Sequence, residues 1–190
     1  MSSGRAACLI ANLAYTKTRG RQIQFSDPYY MAKEMLVGKA ANADKPLRYF
    51  KGKRISANKG TTSEQSIVLK GGEPVTFQDA ASAFIALEQN KVQGFVTNTM
   101  TAIKMISQAQ KDGISLAMIK EPMALEPIGV GMKKGEPQLL ASVNSSLKAM
   151  DDNGTIDKIW NSWIGPNTEY KMVREDHVQP LSSLKFQPLD

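Results

Sequence analysis

The sequence predicts an α/β fold built on a mainly parallel sheet. Three observations carry this. Short apolar or alternating runs take turns with runs of helical period along most of the chain. Helix start and stop residues fall between those runs, where the period changes. The segment at residues 1–12 is loosely echoed at 87–98: each reads as a helix end, a turn with a basic residue, a strand and then Asn, as two lobes on one plan would give. Alternation of this kind leads to parallel neighbours, because right-handed crossovers are how such strands connect.

Residues 8–11 read as a buried strand, and residues 35–38 as another. Residues 54–58 form a short strand, followed by Lys59, Gly60, Thr61, Thr62, Ser63 and Glu64. Thr61 and Glu64 have capping-box spacing and open a helix through Leu69. Gly71 and Gly72 stop it, and residues 74–77 resume as a strand. Asp79 caps the next helix, whose apolar face holds Ala83, Phe84 and Leu87 and which Asn90 closes. Residues 94–97 form a strand, and residues 99–111 a helix with Met100, Ile103, Met105 and Ile106 on or near its buried side. Residues 115–119 and 128–132 read as two more strands. Pro137 suits the first turn of a helix carrying Leu140, Val143, Leu147 and Met150. Gly154 interrupts it, a last helix holds Ile156, Ile159, Trp160, Trp163 and Ile164, and Gly165 with Pro166 ends it. The remainder, residues 167–190, is polar and reads as a tail.

The chain has 190 residues, enough for one sizeable domain or two small lobes. A hydrophobic share of 42% with 22% charged residues argues against disorder. No apolar run approaches the roughly 20 residues of a membrane span. The first twenty residues show no basic region followed by a long apolar core and a cleavage site. The net charge of +6 is scattered, without the dense basic tract that would make nucleic acid a partner. One histidine, His177, and one cysteine, Cys8, without ligand spacing argue against a metal site, and no cofactor is expected. A Ser-His-Asp triad would have to recruit His177 from the polar tail. Cys8 sits in an apolar run and reads as a small buried hydrophobe; alone, it excludes an internal disulfide.

Five motifs in order carry a resemblance. They are the segment at residues 10–19 with Phe25, Ser26, Asp27, Pro28, Tyr29 and Tyr30; Lys51 to Arg54 with Lys59 to Glu64; the region at residues 83–98; Glu126, Pro127, Ile128, Gly129 and Val130; and the closing helix at residues 154–165. Together they resemble the polar amino-acid-binding proteins of ABC importers over residues 1–165. The resemblance implies a periplasmic-binding-protein-like fold of two lobes, each with a mainly parallel sheet flanked by helices, closing on a ligand by a hinge. Residues 1–36 and 128–165 would form lobe one, 37–127 lobe two, and 166–190 a C-terminal tail. The family's opening β-α-β stretch would precede residue 1, leaving lobe one incomplete.

The resemblance also implies a site. An α-amino acid presents a carboxylate, which suits a planar cationic fork with amide donors, and an ammonium, which needs oxygen acceptors. Arg19 matches the family's carboxylate-binding arginine, and Ala14 offers a backbone N–H. Thr61, Thr62 and Ser63 stand at a helix N-terminus, where N–H groups and the dipole favour an anion. Asn12 offers a backbone carbonyl to the ammonium. Asn98 stands where the family usually has Asp, so the acceptor there brings no charge, and Ala14 replaces a common Ser or Thr.

The expected function is extracytoplasmic, periplasmic binding of a polar amino acid or similar small carboxylate for delivery to the membrane subunits of an ABC transporter. One alternative is a fragment without ligand binding that forms a homo-oligomer through uncovered strand edges of lobe one. Another is a dehydratase-type enzyme on the same fold, but Glu64 and Glu126, its candidate acids, read as structural.

Overall fold

The computed structural model describes residues 6–189; residues 1–5, where the echo of 87–98 begins, lie outside the described residues. The chain divides into two compact units. Unit one holds the chain up to Ala32 together with Glu126–Pro188, and unit two holds Lys33–Leu125. The divisions fall inside β3 (Tyr30–Lys39) and β8 (Ala124–Ile128).

Unit two is a three-layer α/β structure. Its parallel strands are β4 (Arg54–Asn58), β5 (Glu73–Phe77) and β6 (Gly94–Asn98), with β4 between the other two. The parallel pairing expected in this region is therefore present. β3 and β7 (Leu116–Met118) extend the sheet on the β6 side as antiparallel strands. Alternation along the strands makes two cores. Val37 and Phe95, opposite each other, face Phe84 and Leu87 of α3 (Ala80–Glu88) and Ala102 and Ala109 of α4 (Thr99–Lys111). The next pair, Leu36 and Val96, faces Ile67 of α2 (Thr62–Leu69) with Phe50, Ile55 and Met123. Ser56, buried between strand and helix, is satisfied by donating to the Ala83 carbonyl at 2.7 Å.

Helix boundaries in unit two follow their caps. Asp79 Oδ1 accepts the Ser82 N–H at 2.8 Å and opens α3, and Asn98 Oδ1 accepts the Thr101 N–H at 3.0 Å and opens α4. The Ser82 N–H and hydroxyl, both donating to it, hold the Asp79 carboxyl below its ordinary range. The capping box expected at Thr61 and Glu64 forms differently. Thr61 is the N-cap residue of α2, but its hydroxyl donates to the Asn58 carbonyl at 2.7 Å. Glu64 reaches back to the Gly60 N–H at 2.6 Å, one residue beyond the N-cap that a box would use.

Unit one departs from the expected parallel sheet. β1 (Cys8–Leu9) and β2 (Gln24–Phe25) flank β9 (Gly131–Met132), and both pairings are antiparallel. The helix between β1 and β2, α1 (Lys17–Gln22), is six residues long and was not read from the sequence. The echo with residues 87–98 ends here: β1 has two residues against five in β6, and Asn12 lies in an exposed bend while Asn98 opens a helix. The strand expected at 128–132 is split into β8 and β9. Ser26 sits at the break: its N–H donates to the Val130 carbonyl and its hydroxyl accepts the Val130 N–H, both at 2.9 Å, and its carbonyl would stand 3.0 Å from a Cβ at Gly129.

α5 (Pro137–Asp152) starts on Pro137, and Gly154 at φ 74° lets the chain turn into α6 (Thr155–Trp163). The stretch read as a polar tail is bound to unit one. The Trp160 indole donates to the Met172 carbonyl at 3.2 Å, and Asp27 Oδ1 accepts the Leu181 N–H at 3.2 Å. Its main anchor is Asp151, at the end of α5, whose side chain is 4% exposed. Asp151 pairs with Arg174 and accepts the Val178 N–H at 2.9 Å, and His177 Nδ1 lies 3.3 Å away. Arg174 also reaches Asp157 at 2.8 Å. His177 itself is mostly exposed, as a tail residue would be.

Burial alone would push the Asp151 carboxyl up, but Arg174, the Val178 N–H and His177 outweigh it and hold it below the ordinary carboxylate range. A depressed carboxyl contributes stability above its unfolded value, and that stability is lost as pH falls through the folded value. Acidification below the ordinary carboxylate range should therefore release residues 172–181, read as faster cleavage of that segment by the acid protease pepsin and a change in Trp160 fluorescence. Asp151→Asn should cost about 3 kcal/mol, the lower end for breaking a buried pair because Asp157 remains, and should flatten that acid response. An unchanged acid profile in the variant would show that another group governs it.

Candidate ligand-binding site

The residues singled out in the sequence fall into two sets. Asn12, Ala14 and Arg19 belong to unit one; Thr61, Thr62, Ser63 and Asn98 belong to unit two.

In unit one, Arg19 sits in the first turn of α1. Thr16 caps that helix, its hydroxyl accepting the Arg19 N–H at 3.1 Å. The Arg19 guanidinium is half-buried and donates through Nη1 to the Ala14 carbonyl at 2.9 Å. Among the described residues no carboxylate pairs with it. A guanidinium has five donors, so one bond to a carbonyl orients the fork and leaves the others available. Ala14 is buried and bridges Ile128, with the Tyr15 N–H donating to the Pro127 carbonyl at 2.8 Å. Asn12 is exposed; the loop before it is held by the Tyr29 hydroxyl, which donates to the Ala11 carbonyl at 2.9 Å. Burial raises the pKa of that Tyr29 hydroxyl.

An aromatic cluster beside Arg19 was not legible in the sequence. The Tyr15 ring meets Phe25 edge-on at 5.4 Å and Phe186 at 6.1 Å. The same ring covers Gly20, where a Cβ would stand 2.7 Å from Tyr15. Gly20 thus lets an aromatic side chain lie against the helix that carries Arg19.

In unit two, β4 and β6 end at one edge of the sheet and lead into α2 and α4. In open α/β sheets this carboxyl edge is where ligands bind. No side chain caps the N–H groups at the start of α2, because Thr61 is turned to Asn58. The Ser63 hydroxyl donates to Glu34 Oε2 at 2.5 Å, and its backbone N–H lies in the first turn of α2. The Asn98 Oδ1 serves as the cap of α4. Glu34, buried and directly opposite Asn98 in the β3–β6 register, was not singled out in the sequence. Among the described residues no group of three or more His, Cys, Asp or Glu could hold a metal, and no helix is long and apolar enough to cross a membrane.

Arg19 in unit one and the start of α2 in unit two each present N–H donors of the kind that suit an anion. The chain belongs to the bacterial extracellular solute-binding proteins, family 3, whose model matches residues 1–166. Its relatives are amino-acid-binding components of ABC transporters. The glutamine-binding protein GlnH of Bacillus subtilis is 29% identical over 86% of this chain and 60% of its own length. The arginine-binding protein 1 of Escherichia coli is 25% identical over 82% of this chain and 65% of its own. The chain thus spans less than two thirds of the length of either. An ancestral arginine-binding protein, solved with glutamine, superposes with a TM-score of 0.70 at 32% identity, over 86% of this chain and 73% of that one. An ancestral amino-acid-binding protein described as a precursor of cyclohexadienyl dehydratase has a TM-score of 0.66 at 27% identity, over 86% of this chain and 71% of that one. The fold expected from the five motifs is borne out, and the named relatives are binding proteins rather than enzymes.

Gly20 gives a direct test of the aromatic cluster. Gly20→Ala gains about 0.5–1 kcal/mol of helix propensity, but overpacking against the wedged Tyr15 ring costs roughly 1–3 kcal/mol. The net should be a lower melting temperature with a changed near-UV aromatic signal. A higher melting temperature would mean that Tyr15 swings away without cost.

Proposed function

We propose that this chain binds a polar amino acid or similar small carboxylate outside the cytoplasm, in the periplasm, for delivery to the membrane subunits of an ABC transporter. The observation that carries this reading is Arg19, a half-buried guanidinium oriented by the Ala14 carbonyl and left without a carboxylate partner among the described residues. Arg19 is the main cationic anchor of the ligand carboxylate, with the Ala14 N–H beside it. The N–H groups that follow Thr61 at the start of α2, those of Thr62 and Ser63, offer further donors to an anion. The Asn12 carbonyl and the Asn98 amide serve the ligand's polar groups. No catalytic step is assigned: Glu64 accepts a backbone bond at Gly60, as a structural carboxylate does.

Titration calorimetry of the purified chain against a panel of amino acids tests this. Charge-assisted hydrogen bonds contribute roughly 1.5–3 kcal/mol, so Arg19→Ala should weaken binding by about 10- to 150-fold. Arg19→Lys should restore it only in part, because an ammonium cannot present the planar fork. Binding with unchanged affinity in Arg19→Ala would remove Arg19 from the site.

A second reading is favoured by one observation. The sheet of unit one consists of strands two residues long, and Leu9 and Ile10 beside it are exposed. Such an edge invites pairing with a second copy of the chain. A stable monomer by light scattering would count against that assembly and leaves the binding reading untouched.

A further inference from the structure

The amino edge of unit two, where β4 and β6 begin and β3 ends, carries a cavity of about 230 Å³. The length of β4, roughly 16 Å at about 3.3 Å per residue, separates it from the sheet edge that leads into α2. Phe50, Leu87 and Val92, all buried, form its floor, and Lys39, Lys53 and Gln93 stand at its rim. Gln93 Oε1 accepts the Arg54 N–H at 3.2 Å, which holds the side chain and leaves its amide donors available. The Tyr49 ring, also in the wall, meets Phe50 edge-on at 5.1 Å.

Positive charge gathers at this edge without compensation. Residues 39–54 hold six Lys or Arg against one acid, Asp44, and that acid pairs with Lys120 at 2.6 Å. Among the described residues no carboxylate pairs with Lys39, Lys45 or Lys53. Lys53 Nζ lies 3.6 Å from the centre of the Tyr49 ring, and Lys45 Nζ lies 5.7 Å from it. The electron-rich ring thus holds two like charges near one another. Nor are these ammonium groups needed as helix caps. The last carbonyls of α3, at Ile85, Ala86 and Leu87, accept from the Gln89, Lys91 and Asn90 N–H groups.

An anion would offset this charge, and the lining defines which kind. Two ammonium groups favour a dianion over a monoanion. No arginine lines the cavity, so it presents point charges and no planar fork, which suits phosphate oxygens better than a carboxylate. Its volume is below the roughly 300–1,000 Å³ of pockets for drug-sized molecules, so the ligand is small. We propose that this cavity is a second ligand site, which takes the phosphate group of inorganic phosphate or of a small soluble phosphate ester. Lys39 and Lys53 bind its oxygens, Gln93 adds amide donors, and Tyr49 holds Lys53 in place. The site stands whether or not Arg19 binds an amino acid, since all its residues belong to unit two.

The test is titration calorimetry of the full chain at constant ionic strength, with inorganic phosphate, glycerol 3-phosphate and acetate as probes. At least one phosphate probe should bind about tenfold or more tightly than acetate, the scale of one charged hydrogen bond. The double variant K39Q/K53Q should weaken that probe by about tenfold or more. K133Q/K134Q, which removes the same charge from exposed lysines of unit one, should leave it unchanged, as should Arg19→Ala. Should K39Q/K53Q fold poorly, the single variants Lys39→Gln and Lys53→Gln decide, each with a smaller loss. The proposal is overturned if neither phosphate probe binds more tightly than acetate, or if K133Q/K134Q weakens binding as much as K39Q/K53Q. Loss of phosphate binding in Arg19→Ala would place the anion in the other unit and overturns it too. So does binding confined to phosphatidylcholine vesicles containing phosphatidic acid, which would make the edge a membrane contact.

Discussion

A one-residue slip in the pairing of β3 with β6 would turn every side chain of β3 to the opposite face of the sheet. The observed register sets Leu36 against Val96 and Val37 against Phe95. Leu36 and Val96 complete the core under α2, while Val37 and Phe95 complete the core under α3 and α4. Two cores with different helices on them make any other register expensive, because each would exchange its large and small residues at once. The same pairing fixes the end of the sheet that leads into α4. Glu34 stands opposite Asn98 for the reason that Leu36 stands opposite Val96, two residues further on. Packing in the middle of the sheet thus positions a charged group at its edge, and the edge needs no separate device to hold its geometry.

Unit one is organised differently. Its buried apolar cluster is small, Ala14, Ala32 and Ile128 with Tyr29 and Tyr30 against them. Its strands are too short to supply much of a ladder. Residues beyond Gly165 compensate through polar and aromatic contacts: Arg174 with Asp151 and Asp157, and Phe186 on Tyr15. A buried ion pair is weak evidence for stability when set against an apolar alternative. Its effect here is directional. Asp151 accepts from Arg174 and from the Val178 backbone, which fixes both the register and the path of the segment. Tyr15 then links that segment to α1, since the ring touched by Phe186 also covers Gly20, next to Arg19.

Much of unit two was legible in the sequence because its signals are local. β4 begins and ends where its apolar run does, and α4 spans the residues expected of it, since Asn98 caps it and Lys111 ends its period. β3 was read only at 35–38, although it runs from Tyr30 to Lys39. Lys33 and Glu34 hide it, because charged residues in a strand core break the apolar pattern that would mark it. Unit one was poorly legible because two-residue strands carry no periodicity, and α1 has only one turn and a half. The tail was misread for a related reason. Polarity and proline predict a solvated segment, but Arg174 and Val178 both donate to Asp151, a partner more than twenty residues earlier whose burial the sequence does not reveal. Of the candidate site residues, Arg19 was found through family resemblance, whereas the side-chain bonds of Ser63 to Glu34 and of Asn98 to Thr101 join residues that only the folded sheet brings together or the helix start aligns.

The two candidate anion-holding elements differ in physics, and the difference bears on ligand choice. Arg19 is a full positive charge on a long side chain, held in place by one carbonyl. It can form a bidentate pair with any carboxylate and discriminates little beyond that geometry. The start of α2 offers only partial charge, through N–H groups fixed in direction by the helix backbone. Such donors reward an anion whose oxygens lie along them, whereas a guanidinium on a flexible stem can follow its partner. Selectivity by shape thus belongs to the helix start, and strength of attraction to the arginine.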